Sequence, residues 1–176
     1  MKTLLPGEVT KEYLGWWNND QLQKGLGHKG RGWNFERAVQ HVKSFDNIKG
    51  FHLGVYLKET GKMIGFYSMT RDPIQKVSSS TTLIGDQNWW RQGLAKEISE
   101  TTIRFRFQGM DIEKIESKVR GENVASKALL ESLGFKKEGV LIKHGPSPEG
   151  GRIDITLYGL LKEEWLANQE KKSGDQ

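Results

Sequence analysis

Cysteine is absent from this sequence. That excludes disulfides, a thiolate nucleophile and any zinc site built on sulfur. The four histidines, His28, His41, His52 and His144, lack the i, i+4 spacing of a metal-binding helix, so no metal site is expected. No run of about 18 apolar residues occurs, so no segment is expected to cross a membrane. The start, Met1 to Pro6, is too short in apolar residues for a secretory leader. Internal repeats and mid-chain low-complexity linkers are also missing. The expectation is a soluble, cytoplasmic protein.

The 176 residues suit one domain, and an apolar share of 35% is enough for one core at this length. Basic side chains outnumber acidic ones 27 to 22. The resulting charge of +5 suits a polyanionic partner such as nucleic acid, a phosphorylated small molecule or coenzyme A. It equally suits a surface that is merely well solvated.

Helical spacing begins at residues 9–22, where Val9, Tyr13, Trp16 and Trp17 share a face. A basic, glycine-rich stretch holds His28, Lys29, Arg31 and Trp33. Asn34 then caps a second helix through Phe45, with Ala38, Val39, Val42 and Phe45 facing inward. Residues 51–57 and 62–69 read as a hairpin about Glu59-Thr60-Gly61, and 80–85 as a third strand. A helix is expected over 93–107 with Leu94, Ile98, Thr102 and Phe105 on its inner stripe. A strand over 112–119, a helix over 124–133 closed by Gly134, and strands over 135–143 and 153–160 follow. A short helix over 163–166 ends the domain, expected to span residues 1–167. Residues 168–176 read as a polar, disordered tail. The hairpins imply antiparallel pairing, and two strand–helix–strand passages can add parallel pairing. The fold class is α+β, a mixed and mostly antiparallel sheet flanked by helices.

Residues 84–95 pass from a strand into a helix N-terminus. Free N–H groups and the helix dipole make such a turn an anion site. Gly93 lets the backbone approach a phosphate, Ala95 removes bulk, and Arg91 adds charge. The plain alternative is an ordinary strand-to-helix turn.

The turn Trp90-Arg91-Gln92-Gly93-Leu94-Ala95 resembles the acetyl-CoA loop of the GNAT superfamily, Gln/Arg-x-x-Gly-x-Gly/Ala. Trp90 departs from the general first position. It matches the Tyr-Trp-x-x-Gly-x-Gly/Ala form of the ribosomal-protein (RimJ/RimL-like) N-acetyltransferase branch, with Trp89 in place of Tyr. A second stretch, from Asn123 through Ser126, Leu130-Glu131 and Gly134-Phe135 to Glu138-Gly139, is similar to that branch's Asn-x-x-Ser-x-x-x-Leu-Glu-x-x-Gly-Phe-x-x-Glu-Gly. Arg152-x-Asp154, Tyr158-x-Leu160-Leu161 and Glu164-Trp165 give a third match.

The resemblance implies an acyltransferase that moves an acetyl group from acetyl-CoA to an amine. It assigns the pantetheine arm to Leu83, Ile84, Gly85 and Asn123, and the pyrophosphate to Trp90, Arg91, Gln92, Gly93, Leu94 and Ala95. The tyrosine acid of many relatives is replaced by Leu130, so Ser126 becomes the candidate thiolate proton donor, or else a cofactor contact. No general base transfers. Glu116 is a candidate, against the plainer role of ion-pairing with Lys114 or Lys118, and His144 and Asp154 remain alternatives.

In the fold that the resemblance implies, the loop between the first two helices and the loop before the last strand wall the acceptor site. Their positive charge beside an aromatic surface makes His28, Arg31, Trp33 and His144 candidates. An amino sugar or nucleotide-linked amino sugar is favoured over a protein N-terminus. A CoA-binding regulatory module without catalysis is the alternative of another class. Nucleic acid and membrane are not expected as partners, and a homodimer is compatible with the sequence.

Overall fold

The computed structural model describes residues 1–26, 32–121, 123–147 and 150–174. Its strands form a seven-stranded sheet in the order β1-β2-β3-β4-β5-β7-β6. They are β1 (Lys2–Thr3), β2 (Gly50–Tyr56), β3 (Met63–Asp72), β4 (Val77–Ile84), β5 (Lys114–Arg120), β6 (Lys136–Pro146) and β7 (Arg152–Leu161). The helices are α1 (Lys11–Trp17), α2 (Asp20–Leu26), α3 (Phe35–Lys43), α4 (Leu94–Gly109), α5 (Val124–Ser132) and α6 (Lys162–Gly174). Pairing is antiparallel for β1–β2, β2–β3, β5–β7 and β6–β7, and parallel for β4–β5. This is the expected α+β class. Among the described residues, no helix is long and apolar enough to cross a membrane.

Only one of the two strand–helix–strand passages yields a parallel pair. β4–α4–β5 does so through Val77↔Lys114, Ser78↔Ile115 and Ser79↔Glu116. After α5 the chain instead makes the β6–β7 hairpin, and β7 takes the place beside β5. An antiparallel hairpin needs only a short turn, so it forms readily at the chain's own neighbour.

Two compact units divide the chain, Met1–Thr70 with Ser80–Ala95, and Arg71–Ser79 with Lys96 onward. In the first, α1 and α2 replace the single helix expected over 9–22. Asn18 closes α1, and the Asn19 side chain accepts the Leu22 N–H (3.1 Å) to open α2. Tyr13, Trp16 and Trp17 are buried with Leu22, Ala38, Val42, Phe66 and Leu83. Both tryptophans are thus core, and Trp17 stacks on Phe66 at 5.2 Å.

The second unit is built on α4, whose buried face comprises Ile98, Thr102, Ile103, Arg106 and Phe107. That face lies about a quarter turn from the expected stripe, and Phe105 is 57% exposed. The correction traces to Arg106, 2% exposed, whose guanidinium donates to the Thr102 carbonyl and the Ser78 hydroxyl (3.3 Å each). Hydropathy alone treats arginine as surface.

α5 ends as expected: Gly134 has φ +92°, and the N–H groups of Gly134 and Phe135 return to the carbonyls of Glu131 and Leu130 (3.0 Å each). The last helix is longer than its expected four residues. α6 runs from Lys162 to Gly174, so residues 168–174 of the stretch expected as a disordered tail continue a helix whose first turns hold the buried Trp165.

Candidate active site

The strand-to-helix turn lies in the first unit. The N–H groups of Gly85 and Asp86 both donate to the Ile64 carbonyl (2.8 and 3.1 Å). Gly85 therefore faces β3, and alternation directs the backbone of Thr82 and Ile84 to the other edge of β4. The Ile84 carbonyl accepts the Trp90 indole N–H at 2.7 Å, which ties the turn back to its strand. No side chain fits at Gly85, because a Cβ would run into the Trp16 indole. Asp86 accepts the Asn88 N–H and an ion pair from Lys62 at 2.7 Å, which holds its carboxyl below the usual range.

Beyond Trp90 the backbone changes hand. Arg91 has φ +59° and Gly93 φ +78°, immediately before α4 begins at Leu94. Left-handed residues at a helix entrance turn backbone N–H groups into an anion-binding concavity. Among the described residues, no heavy atom beyond its chain neighbours lies within 4 Å of where a Cβ at Gly93 would sit. Gly93 is thus required by its positive φ, and the space above it is open. Arg91 is exposed beside it, while Leu94 and Ala95 are half-buried and Leu83 is core. An open concavity of N–H groups with an arginine fits a pyrophosphate.

The second constellation belongs to the second unit. Asn123 caps α5 by accepting the Ser126 N–H at 3.1 Å. Capping thus belongs to Asn123, and the Ser126 hydroxyl has no hydrogen-bond partner among the described residues. Glu116 lies 3.9 Å from Lys114, the ion-pair partner that its plainer role names, and Lys114 has a nearer partner in Glu138 at 2.8 Å.

A third feature was not legible beforehand. In the β6–β7 ladder Leu141 faces Ile155 and Gly145 faces Ile153, so Ile142, Lys143 and His144 stand opposite Asp154 alone. Lys143 sits at φ +47° with its N–H donated to the Asp154 carboxylate (2.7 Å). Arg152 donates to the carbonyls of Lys143 and His144 (2.5 Å each), and Arg120 to that of Pro146 (2.6 Å). Asp154, a candidate base in the sequence, is therefore occupied in holding this bulge. Lys143 and His144 are exposed on it.

Of the other acceptor candidates, His28 and Arg31 lie outside the described residues. Trp33 stacks on Trp17 at 4.2 Å with the Arg37 guanidinium 4.4 Å over its ring. Asn18 brackets its backbone through both N–H and carbonyl. Its ring is already engaged within the first unit. Sequence reasoning also passed over His52, 1% exposed, whose Nε2 lies 2.9 Å from the Tyr13 hydroxyl and whose Nδ1 lies 2.6 Å from the Ser68 hydroxyl.

Residues 8–136 match the acetyltransferase (GNAT) domain model. The chain belongs to the GNAT acetyltransferase family, whose members use acetyl-CoA as donor. It is 32% identical over 111 residues to the uncharacterised N-acetyltransferase p20 of Bacillus licheniformis, covering 63% of this chain and 62% of that protein, less than two-thirds of its length. With the uncharacterised N-acetyltransferase YoaA of Bacillus subtilis it shares 24% identity over 82% of this chain and 83% of the relative. The fold is similar to that of spermidine N-acetyltransferase from Vibrio cholerae, solved in complex with CoA and spermine (TM-score 0.84, 17% identity, 94% of this chain and 96% of that one). It is also similar to RimL, a ribosomal L7/L12 α-N-protein acetyltransferase solved with coenzyme A (TM-score 0.81, 19% identity, 91% and 92%).

Proposed function

We propose that this protein acetylates the primary amine of a small molecule that also carries negative charge, such as an amino sugar or a nucleotide-linked amino sugar. The observation that carries the reading is the turn at Arg91 and Gly93, left-handed and open above Gly93, leading into α4. Its N–H groups and Arg91 hold the pyrophosphate of acetyl-CoA. The family likeness assigns the pantetheine arm to Leu83, Ile84, Gly85 and Asn123.

Acetyl-CoA supplies an activated thioester, and the chain supplies orientation and protons. The Ser126 hydroxyl, without a hydrogen-bond partner among the described residues, donates the proton that the departing sulfur requires. The amine must lose its proton before attack. Asp154 is engaged by the Lys143 N–H, which leaves Glu116, His144 or a water chain to take that proton. The basic side chains gathered at the β6–β7 bulge, Arg120, Lys143 and Arg152, support an anionic acceptor over a polycation.

Thiol release from acetyl-CoA, followed over a panel of amines, tests the proposal. Turnover is expected on phosphorylated or nucleotide-linked amino sugars. Turnover confined to peptide N-termini would overturn the small-molecule reading. Tight acetyl-CoA binding with no turnover on any amine would make the protein a CoA-binding regulatory module.

A further inference from the structure

Thr10 and Asn34 cap α1 and α3 from extended backbone, with φ −103°, ψ 171° and φ −117°, ψ 174°. That is the usual N-cap conformation. Asn123 makes the same kind of side-chain contact at α5, but with φ −85° and ψ 73°. The chain entering α5 is therefore turned differently, and its neighbours show what turns it. The Asn123 N–H donates to the Arg120 carbonyl (3.0 Å), and the Gly121 N–H donates to the Asp154 carbonyl (3.0 Å). The Gly121 carbonyl accepts the ammonium of Lys127, also at 3.0 Å.

Lys127 is oddly placed for a residue serving its own helix. It lies at the N-terminal end of α5, where a cation opposes the helix dipole, and no acidic residue in that first turn offsets it. It is nonetheless half-buried, with its stem folded back toward the strand that precedes the helix. We infer that Lys127 is a positioning residue: by holding the Gly121 carbonyl it fixes the direction in which Asn123 presents its amide. This rests on the proposed pantetheine contact of Asn123.

Calorimetry with two ligands separates the roles. Acetyl-CoA carries the pantetheine arm, and adenosine 3′,5′-bisphosphate lacks it. Lys127→Met is expected to weaken acetyl-CoA binding about tenfold, the scale of one charged hydrogen bond, and to leave the bisphosphate unchanged. Lys127→Arg, which keeps a cationic donor, is expected to restore most of the affinity. Added to Asn123→Ala, Lys127→Met is expected to cost nothing more, because both act on one contact. Equal losses for the two ligands would show that Lys127 acts as a charge or a fold element, and overturn the inference. Additive losses in the double variant, or undiminished acetyl-CoA affinity in Lys127→Met, would do the same. If the unsubstituted protein bound the bisphosphate but not acetyl-CoA, the reading of Asn123 would fail first, and this inference with it.

Discussion

The Tyr13 hydroxyl and the His52 Nε2 meet at 2.9 Å inside the first unit, tying α1 to β2. On its other side His52 meets the Ser68 hydroxyl, and rings from Tyr13, His41, Phe45 and Phe66 pack around it. Burial, and to a lesser degree the neighbouring His41, lowers its pKa from 6.5 to about 3. A neutral imidazole can donate to one hydroxyl and accept from the other, which satisfies a polar group in an apolar core.

An acid-sensitive fold follows. Below pH 6.5 the unfolded chain protonates at His52 while the folded protein does not, so stability falls as pH drops toward 3. The slope from this residue approaches about 1.4 kcal/mol per pH unit. Urea unfolding from pH 7 to pH 4 should show it, and His52→Gln should flatten that limb. An unchanged slope in the variant would assign the acid sensitivity to other groups.

Gly93 is set by its backbone rather than by crowding. Gly93→Ala has room for its methyl but not the φ of +78°, so it should cost folding stability by about 1 kcal/mol. Gly93→Asp adds a negative charge at the proposed pyrophosphate site and should weaken acetyl-CoA binding by tenfold or more. Calorimetry that found equal affinity for Gly93→Asp would place the cofactor elsewhere.

Ser126→Ala removes a hydroxyl with no structural partner among the described residues. Melting temperature should stay the same, and turnover should fall by about a hundredfold with acetyl-CoA affinity little changed. The opposite pattern, weaker affinity with normal turnover, would make Ser126 a binding contact.

Asp154→Ala leaves the Lys143 N–H without its acceptor and should destabilise the protein by about 1–2 kcal/mol. Asp154→Asn keeps an oxygen for that N–H and should recover most of the loss. Equal unfolding midpoints for the alanine variant and the unsubstituted protein would show that the bulge holds without the carboxylate.

Much of this was readable in the sequence because it depends on local chemistry. The helix entrance at Leu94 and the Gly134 terminator are set by residues adjacent in the chain, as is the Asn34 cap. The break between α1 and α2 was hidden because the apolar spacing of Tyr13, Trp16, Trp17 and Leu22 continues through it. Only the paired Asn18 and Asn19 marked it. Arg106, His52 and the Asp154 bulge were invisible for a different reason. Each is a polar group whose partner lies on another element, and periodicity carries no information about that partner. For the candidate site, the strand-to-helix turn was legible from its residues, and its reading as a phosphate site comes from the family likeness. The occupation of Asp154 and the engagement of Trp33 required the coordinates.

The bulge also bears on the exposed edge of the sheet. β6 is the last strand of the sheet, eleven residues long, and its outward side carries Ile142 at 71% exposure. A straight strand of that length offers a continuous row of amide groups to any passing chain, which is how edge-to-edge aggregation begins. The three-residue kink at Ile142–His144, locked by Arg152 and Asp154, interrupts that row. Pro146 removes a further donor at its end. The residues that hold the bulge thereby also break up an exposed sheet edge.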